Sequence, residues 1–302
     1  MRIRPTEAIH FAALFVLAVL TVIFRKNLAD PNGMLLAYAV LALVLVPIVY
    51  LSRRQDRLPA PVTLMLDFYP AAFVPIVFNT LSPLITATRG GARDDLLIAA
   101  DRALFGVDVT VWMEQFSRPR LNDALYVFYA SYYFIALVPG LILWFRDRAT
   151  ARRFVFTLML VYYVSYAGYF TIPALGPRFA QAELYTKSLT ETPISRAIND
   201  TINHLEKTKL DVFPSGHTMI SMTVLIVMWK RARDVFWWLL PIATGLIIST
   251  VYCRFHYVVD LIAGAALAFL FVPLGDRLYD ALMRESSPLF RRGSGRTYSA
   301  FS

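Results

Sequence analysis

Three short constellations in this chain combine residue types suited to phosphate chemistry: Gly176-Pro177-Arg178, Pro214-Ser215-Gly216-His217, and Arg254-Phe255-His256 followed by Asp260. Four residues apart on a helix, His256 and Asp260 share one face. A carboxylate set against an imidazole fixes its tautomer, orients the ring and raises its basicity, which is the relation between orienting group and nucleophile in a catalytic triad. Pro214 and Ser215 suit a helix start, the first by its fixed φ and the second by capping. Free N–H groups at such a start attract an anion, and Gly216 lets an oxygen come close to the backbone. His217 then stands at the rim, where it can protonate a leaving oxygen. Arg178 and Arg254 add guanidinium groups, which stay charged and hold phosphate oxygens in pairs. Each piece alone has an ordinary reading: a capped helix with an interfacial histidine, a packing hydrogen bond, an arginine on lipid headgroups. Together they describe a phosphoryl-transfer site that needs no metal and no cofactor.

The elements that must position these residues are membrane spans. Of the 302 residues 57% are hydrophobic, and mean hydropathy is +0.53. The apolar residues come in runs long enough for a helix to cross a hydrocarbon core, which takes roughly 20 residues. Eight spans are expected, at about 8–24, 34–51, 62–81, 125–145, 154–172, 213–229, 235–252 and 256–274. The first follows Arg2 and Arg4 like a signal peptide, but Arg25, Lys26 and Asn27 come next with no small-residue cleavage site, so it reads as an uncleaved helix. Pro47, Pro70, Pro75 and Pro241 fall inside spans, where neighbouring helices can satisfy the carbonyls they free.

Charge orients the bundle. With the N-terminus inside, the short inner loops hold Arg53, Arg54 and Arg57, then Arg146, Arg148, Arg152 and Arg153, then Lys230, Arg231 and Arg233. Both termini are therefore placed in the cytoplasm, and all three constellations fall on the extracytoplasmic face. Residues 82–124 and 173–212 form long outer segments, the first with an amphipathic stretch at Asp94–Phe105 that suits a helix lying in the interface. The last residues, with Arg291, Arg292 and Arg296 among Gly and Ser, read as a disordered basic tail.

Over residues 60–275 the chain resembles the type 2 phosphatidic acid phosphatase superfamily, most specifically at Pro214-Ser215-Gly216-His217 and His256-x-x-x-Asp260, one span apart. The resemblance implies a six-helix core at 56–284, two additional N-terminal helices within 1–55 and a tail at 285–302. It implies that His256 attacks phosphorus, Asp260 orients it and His217 protonates the leaving alkoxide, while Arg178, Ser215, Gly216 and Arg254 hold phosphate oxygens. The family's first signature, a lysine followed by six residues and then Arg-Pro, is replaced by Thr171 and the reversed order Pro177-Arg178. Its third usually has arginine six before the histidine, where this chain has Thr250. With the segment from Tyr257 to Gly264, these departures are similar to the branch containing inositol phosphorylceramide synthases. In that branch a lipid alcohol, not water, accepts the phosphoryl-headgroup.

The expected partners are thus a lipid phosphate ester, a lipid alcohol acceptor and membrane lipid. Nucleic acid is excluded, although Lys plus Arg number 30 against 21 Asp plus Glu, because no basic run interleaves with exposed aromatics. A transporter or lipid-binding scaffold with the same bundle is the alternative, against which the intact His217, His256 and Asp260 argue. A zinc site on those three residues would be repelled by the nearby arginines. Asp67 is expected to pair across the bundle with a partner such as a tyrosine, Cys253 to fill apolar space, and His10 and His204 to have no functional companion.

Overall fold

In the computed structural model, residues 3–206 and 208–285 are described, and among them every regular element is helical. The basic tail expected after residue 285 lies outside the described residues. Sixteen α-helices follow one another in this part of the chain: α1 (Pro5–Ile23), α2 (Pro31–Ser52), α3 (Ala60–Phe68), α4 (Pro70–Phe78), α5 (Leu81–Arg89), α6 (Asp94–Phe105), α7 (Val109–Trp112), α8 (Pro119–Ala130), α9 (Tyr132–Ile135), α10 (Leu137–Arg146), α11 (Arg148–Tyr169), α12 (Pro177–Ala180), α13 (Pro193–Leu205), α14 (Gly216–Arg231), α15 (Arg233–Tyr252) and α16 (Val258–Glu285).

Among the described residues, six stretches are long and apolar enough to cross a membrane: α1, α2, Ala60–Phe78, Pro119–Arg146, α15 and most of α16. The two expected spans outside that set are α11 and α14, and the reason is physical. They form the inside of the bundle, packed against each other and both against α16. A helix sheathed by other helices has no need of lipid-compatible surface. Thus α11 carries Tyr162, Tyr163, Tyr166 and Tyr169, and α14 has only 16 residues.

Two of the spans are broken where proline removes a backbone donor. Pro70 separates α3 from α4, and the α8–α9–α10 stretch bends ahead of Pro139. By contrast, Pro47, Pro75 and Pro241 are carried within continuous helix.

The end of the bundle away from the three constellations is basic and partly internally neutralised. Asp67, almost wholly buried, accepts from Arg4 (2.8 Å), Arg152 (3.0 Å) and the Trp144 indole (3.0 Å). The partner expected across the bundle is thus present, as two cations and a tryptophan where a tyrosine was one example. A carboxylate at membrane depth needs charge compensation as well as hydrogen bonds. Arg4 also pairs with the buried Glu7, so this network ties α1 to α3, α10 and α11. His10 does have a companion: its Nδ1 lies 2.5 Å from the Tyr163 hydroxyl on α11.

At the constellation end, α6 spans Asp94–Phe105, the stretch read as amphipathic, and its two buried carboxylates act as anchors. Asp101 accepts from the N–H groups of Val258 (2.9 Å) and Val259 (2.8 Å), which start α16. Asp94 accepts from Leu175 (2.9 Å), Gly176 (2.8 Å) and the Tyr257 hydroxyl (2.9 Å). Helix starts expose unpaired donors, and a carboxylate there gains from both hydrogen bonds and dipole.

Candidate active site

The fold brings the three constellations together through backbone contacts. The Ser215 N–H donates to the Asp260 carbonyl (3.1 Å), and the Arg178 N–H donates to the Arg254 carbonyl (2.9 Å). Gly176 adopts φ +89° with its α-carbon close to the Phe255 carbonyl, where a Cβ would sit 2.7 Å from that oxygen, so only glycine fits. Ser215 caps α14, its hydroxyl accepting from the Thr218 N–H at 3.2 Å. At Gly216 a Cβ would stand 2.8 Å from the Tyr169 hydroxyl, so the α14 start presses directly on the end of α11.

The two histidines face each other, with His217 Nδ1 3.1 Å from His256 Nε2. On its other side His256 presents Nδ1 to Asp260 Oδ2 at 3.5 Å, and that same oxygen accepts the Tyr257 N–H at 2.9 Å. His256 and Asp260 are buried, and His217 is held between the rings of Tyr132 (4.1 Å) and Tyr129 (4.8 Å). The His217 imidazole thus touches an imidazole that is backed by a carboxylate. The 3.5 Å spacing is looser than a good hydrogen bond.

The arginines divide. The Arg178 guanidinium lies over the Phe255 ring (4.4 Å) and donates to Asn203 (3.1 Å), beside the histidines. The Arg254 guanidinium turns to Glu114 (2.9 Å) and the Lys187 carbonyl (3.0 Å) and covers the Tyr185 ring (3.8 Å). Its backbone has φ +65°, an uncommon left-handed conformation for a bulky residue. Arg254→Ala is therefore expected to act on stability first, since Glu114 would be left buried without its cation. We expect a loss of about 2–3 kcal/mol in chemical unfolding. An unfolding midpoint equal to that of the unsubstituted protein would show the ion pair to be dispensable.

Neither departure from the family signatures leaves a gap in the local backbone. Thr171 is exposed and donates to the Gly168 carbonyl at 2.6 Å. The Thr250 carbonyl accepts from both Phe255 (2.9 Å) and His256 (3.0 Å), folding the loop that carries the histidine.

Sequence reasoning missed the segment just ahead of Pro214. Glu206, Lys209 and Asp211 all lie within electrostatic reach of Arg178, and Asp211 also of His256. Lys209 Nζ donates to the Glu206 carbonyl at 2.6 Å, and burial together with Arg178 lowers its pKa. Burial, reinforced by Asp211, raises the Glu206 carboxyl from 4.5 to about 7. A signal was available in the alternation of charged residues directly before the Pro-Ser-Gly-His motif, but charge alternation in a loop is usually a solvated surface. Because Glu206 holds its proton more tightly folded than unfolded, stability is expected to fall as pH rises from about 4.5 to about 7. Glu206→Gln should flatten that decline in a thermal-melt series across the same range. A slope identical in both proteins would remove Glu206 as its source.

A cavity of about 420 Å³ opens beside His217. Gly216, His217, Asp211 and Glu206 form its polar end, and apolar residues of α3, α4, α10 and α11 line the remainder with a tyrosine cluster. Among the described residues no group of three or more His, Cys, Asp and Glu is placed to hold a metal ion.

Comparison with known proteins gives one family. The PAP2 superfamily model matches residues 95–274, a stretch that holds all three constellations. The bacitracin transport permease protein BcrC of Bacillus licheniformis is 32% identical over 156 residues, covering 50% of this chain and 68% of that protein. No solved structure matches the chain.

Proposed function

The chain belongs to the PAP2 superfamily, and from that premise we propose that it moves a phosphoryl group from a lipid phosphate ester through a phosphohistidine. The observation that carries this reading is the contact of 3.1 Å between His217 and His256 with Asp260 behind the latter. His256 Nε2 attacks phosphorus, and the N–P bond forms as the bond from phosphorus to the lipid oxygen breaks. His217 gives its proton to that leaving oxygen. An incoming hydroxyl then loses its proton to His217, forms its own bond to phosphorus and frees His256. Asp260 stabilises the charge on the His256 ring.

Arg178, the Ser215 hydroxyl and the Gly216 N–H at the start of α14, and Arg254 through the loop it braces would hold the phosphate oxygens. Lys209 adds an ammonium beside Arg178, in place of the lysine that Thr171 does not provide. Three basic loops at the opposite bundle end support an extracytoplasmic placement of this site, with both termini inside. The helices before residue 56 stand outside the matched family region and read as an addition to the core. In the branch similar to inositol phosphorylceramide synthases a lipid alcohol is the acceptor, and the apolar cavity beside His217 favours that over water.

The test is an assay in proteoliposomes with phosphatidic acid and phosphatidylinositol as donors, each with and without ceramide or diacylglycerol. Product that appears only with a lipid alcohol establishes a transferase. Phosphate released without one establishes a phosphatase. No turnover of either donor, with or without acceptor, would count against the reading.

A further inference from the structure

One helix shares a buried cluster with the segments that carry all three constellations, yet none of its residues has a part in the proposed phosphoryl transfer. Along α6, Asp94, Leu97, Ile98 and Asp101 fall at i, i+3, i+4 and i+7, a single face of the helix. The middle of that face is apolar: Leu97 belongs to one buried cluster with Ala174, Val212 and Tyr257. Ala174 lies two residues before Gly176, Val212 two before Pro214, and Tyr257 directly after His256. The two ends of the face are carboxylates. Asp101 holds the start of α16, and Asp94 stands immediately ahead of the family match at 95–274.

Asp94 is buried, and both of its oxygens are engaged. Oδ1 accepts from the Gly176 N–H (2.8 Å) and the Tyr257 hydroxyl (2.9 Å), and Oδ2 accepts from the Leu175 N–H (2.9 Å). Gly176 is the residue from which α12 starts, and α12 carries Arg178. Tyr257 in turn donates its own N–H to Asp260 Oδ2, the oxygen that faces His256 Nδ1. A chain of contacts therefore runs from the Arg178 turn through Asp94 and Tyr257 to Asp260 and His256. The Arg93 N–H, donating to the Pro173 carbonyl at 2.7 Å, ties the same turn to the start of α6. Apolar packing would be enough to fasten these segments together. Hydrogen bonds to one carboxylate also fix distance and direction, which a non-directional apolar contact does not.

We infer that Asp94 is a positioning residue for this site, setting the Arg178 guanidinium against His256 by joining the two turns that carry them. It rests on the phosphoryl-transfer reading for its purpose: an oxygen held by Arg178 and a phosphorus attacked by His256 must stand at one fixed separation. A misplacement of about 1 Å costs on the order of a hundredfold in such a step. Asp94 acts through Gly176 on one side and through Tyr257 on the other. Asp94→Asn keeps an oxygen for Gly176 and Tyr257 and loses only the acceptor for Leu175, whereas Asp94→Ala loses all three bonds.

The experiment titrates inorganic vanadate, a phosphoryl mimic, into the full chain in detergent micelles by calorimetry, beside the proteoliposome assay of donor turnover. Arg178→Ala should weaken vanadate binding about ten- to a hundredfold, the scale of a charge-assisted hydrogen bond. Asp94→Ala should weaken it about tenfold, the scale of one or two net hydrogen bonds, with the number of sites unchanged. Asp94→Asn should stay within about threefold of the unsubstituted protein, the effect of one weak net hydrogen bond. Combining Asp94→Ala with Arg178→Ala should cost no more than Arg178→Ala alone, because without the guanidinium there is no separation left to set. If Asp94→Ala does not fold, Asp94→Ser, which keeps one acceptor, takes its place in the cycle. Losses that multiply in the double variant, fewer sites at unchanged affinity, or Asp94→Asn as weak as Asp94→Ala would reduce Asp94 to a structural anchor and overturn the inference. An unsubstituted protein that does not bind vanadate would overturn it as well. The expected coupling in a protein that turns over neither phosphatidic acid nor phosphatidylinositol would sink the phosphoryl-transfer reading and leave the placement of Arg178 standing. Turnover with multiplying losses would do the reverse.

Discussion

His256→Ala is expected to remove turnover by about a million-fold, the scale on which enzymes lose activity when a covalent nucleophile is deleted. The reasoning is geometric. His256 is buried, its Nε2 points to His217, and its Nδ1 points to Asp260, so one ring nitrogen is backed by charge and the other is turned to the reaction space. No second imidazole in the site has a carboxylate at its back, so there is nothing to substitute for it. Acid-quenched protein incubated with a phosphate-labelled donor should retain acid-labile label in the parent and none in the variant. The fold should survive, because the loop is held by backbone bonds from Phe255 and His256 to Thr250 and by Asp101 on the α16 start. Label retained in the variant would place the nucleophile elsewhere.

His217→Ala should cost about a hundred- to ten-thousand-fold with a natural lipid ester, the range for loss of a general acid. The same variant makes a sharper prediction with an activated aryl phosphate. A leaving group that departs without a proton does not need His217, so the first half of the reaction should stay fast. The second half still needs a base for the incoming hydroxyl and should become slow. Stopped-flow measurement is therefore expected to show a burst of aryl alcohol equal to the enzyme present, followed by little steady turnover. A uniform slowing of both phases would mean that His217 only supports the neighbouring ring. Its sandwich between Tyr129 and Tyr132 makes that structural alternative concrete.

Much of the site is legible in the sequence because its parts obey local rules. The i, i+4 spacing of His256 and Asp260 puts them on one face, and a capping serine after proline starts a helix wherever it occurs. The hydropathic runs also require a helical bundle, since a lipid environment leaves few other ways to satisfy a backbone. Loop charge grouped the three constellations at one end, and the helix order gathers them there.

What the sequence could not give comes from groups that meet across long separations. Asp94 and Asp101 read as the polar face of an interfacial helix, yet they are the anchors for Gly176 and for the start of α16. Arg254 reads as a phosphate ligand, but the left-handed turn at that residue sends its guanidinium to Glu114. Asp67 finds Arg4, Arg152 and Trp144 only because α1, α10 and α11 pack around α3. The cavity is likewise invisible in one dimension, since it exists only where α4 and α10 both rest on α11 and leave a space between them. By itself, then, the sequence determined the chemical groups, their local pairing and the membrane-spanning architecture, because helix period and hydropathy act over a few turns. The tertiary structure decided which charges are satisfied, which arginine remains beside the histidines and where a cavity opens, because those depend on side chains meeting from helices far apart in the chain.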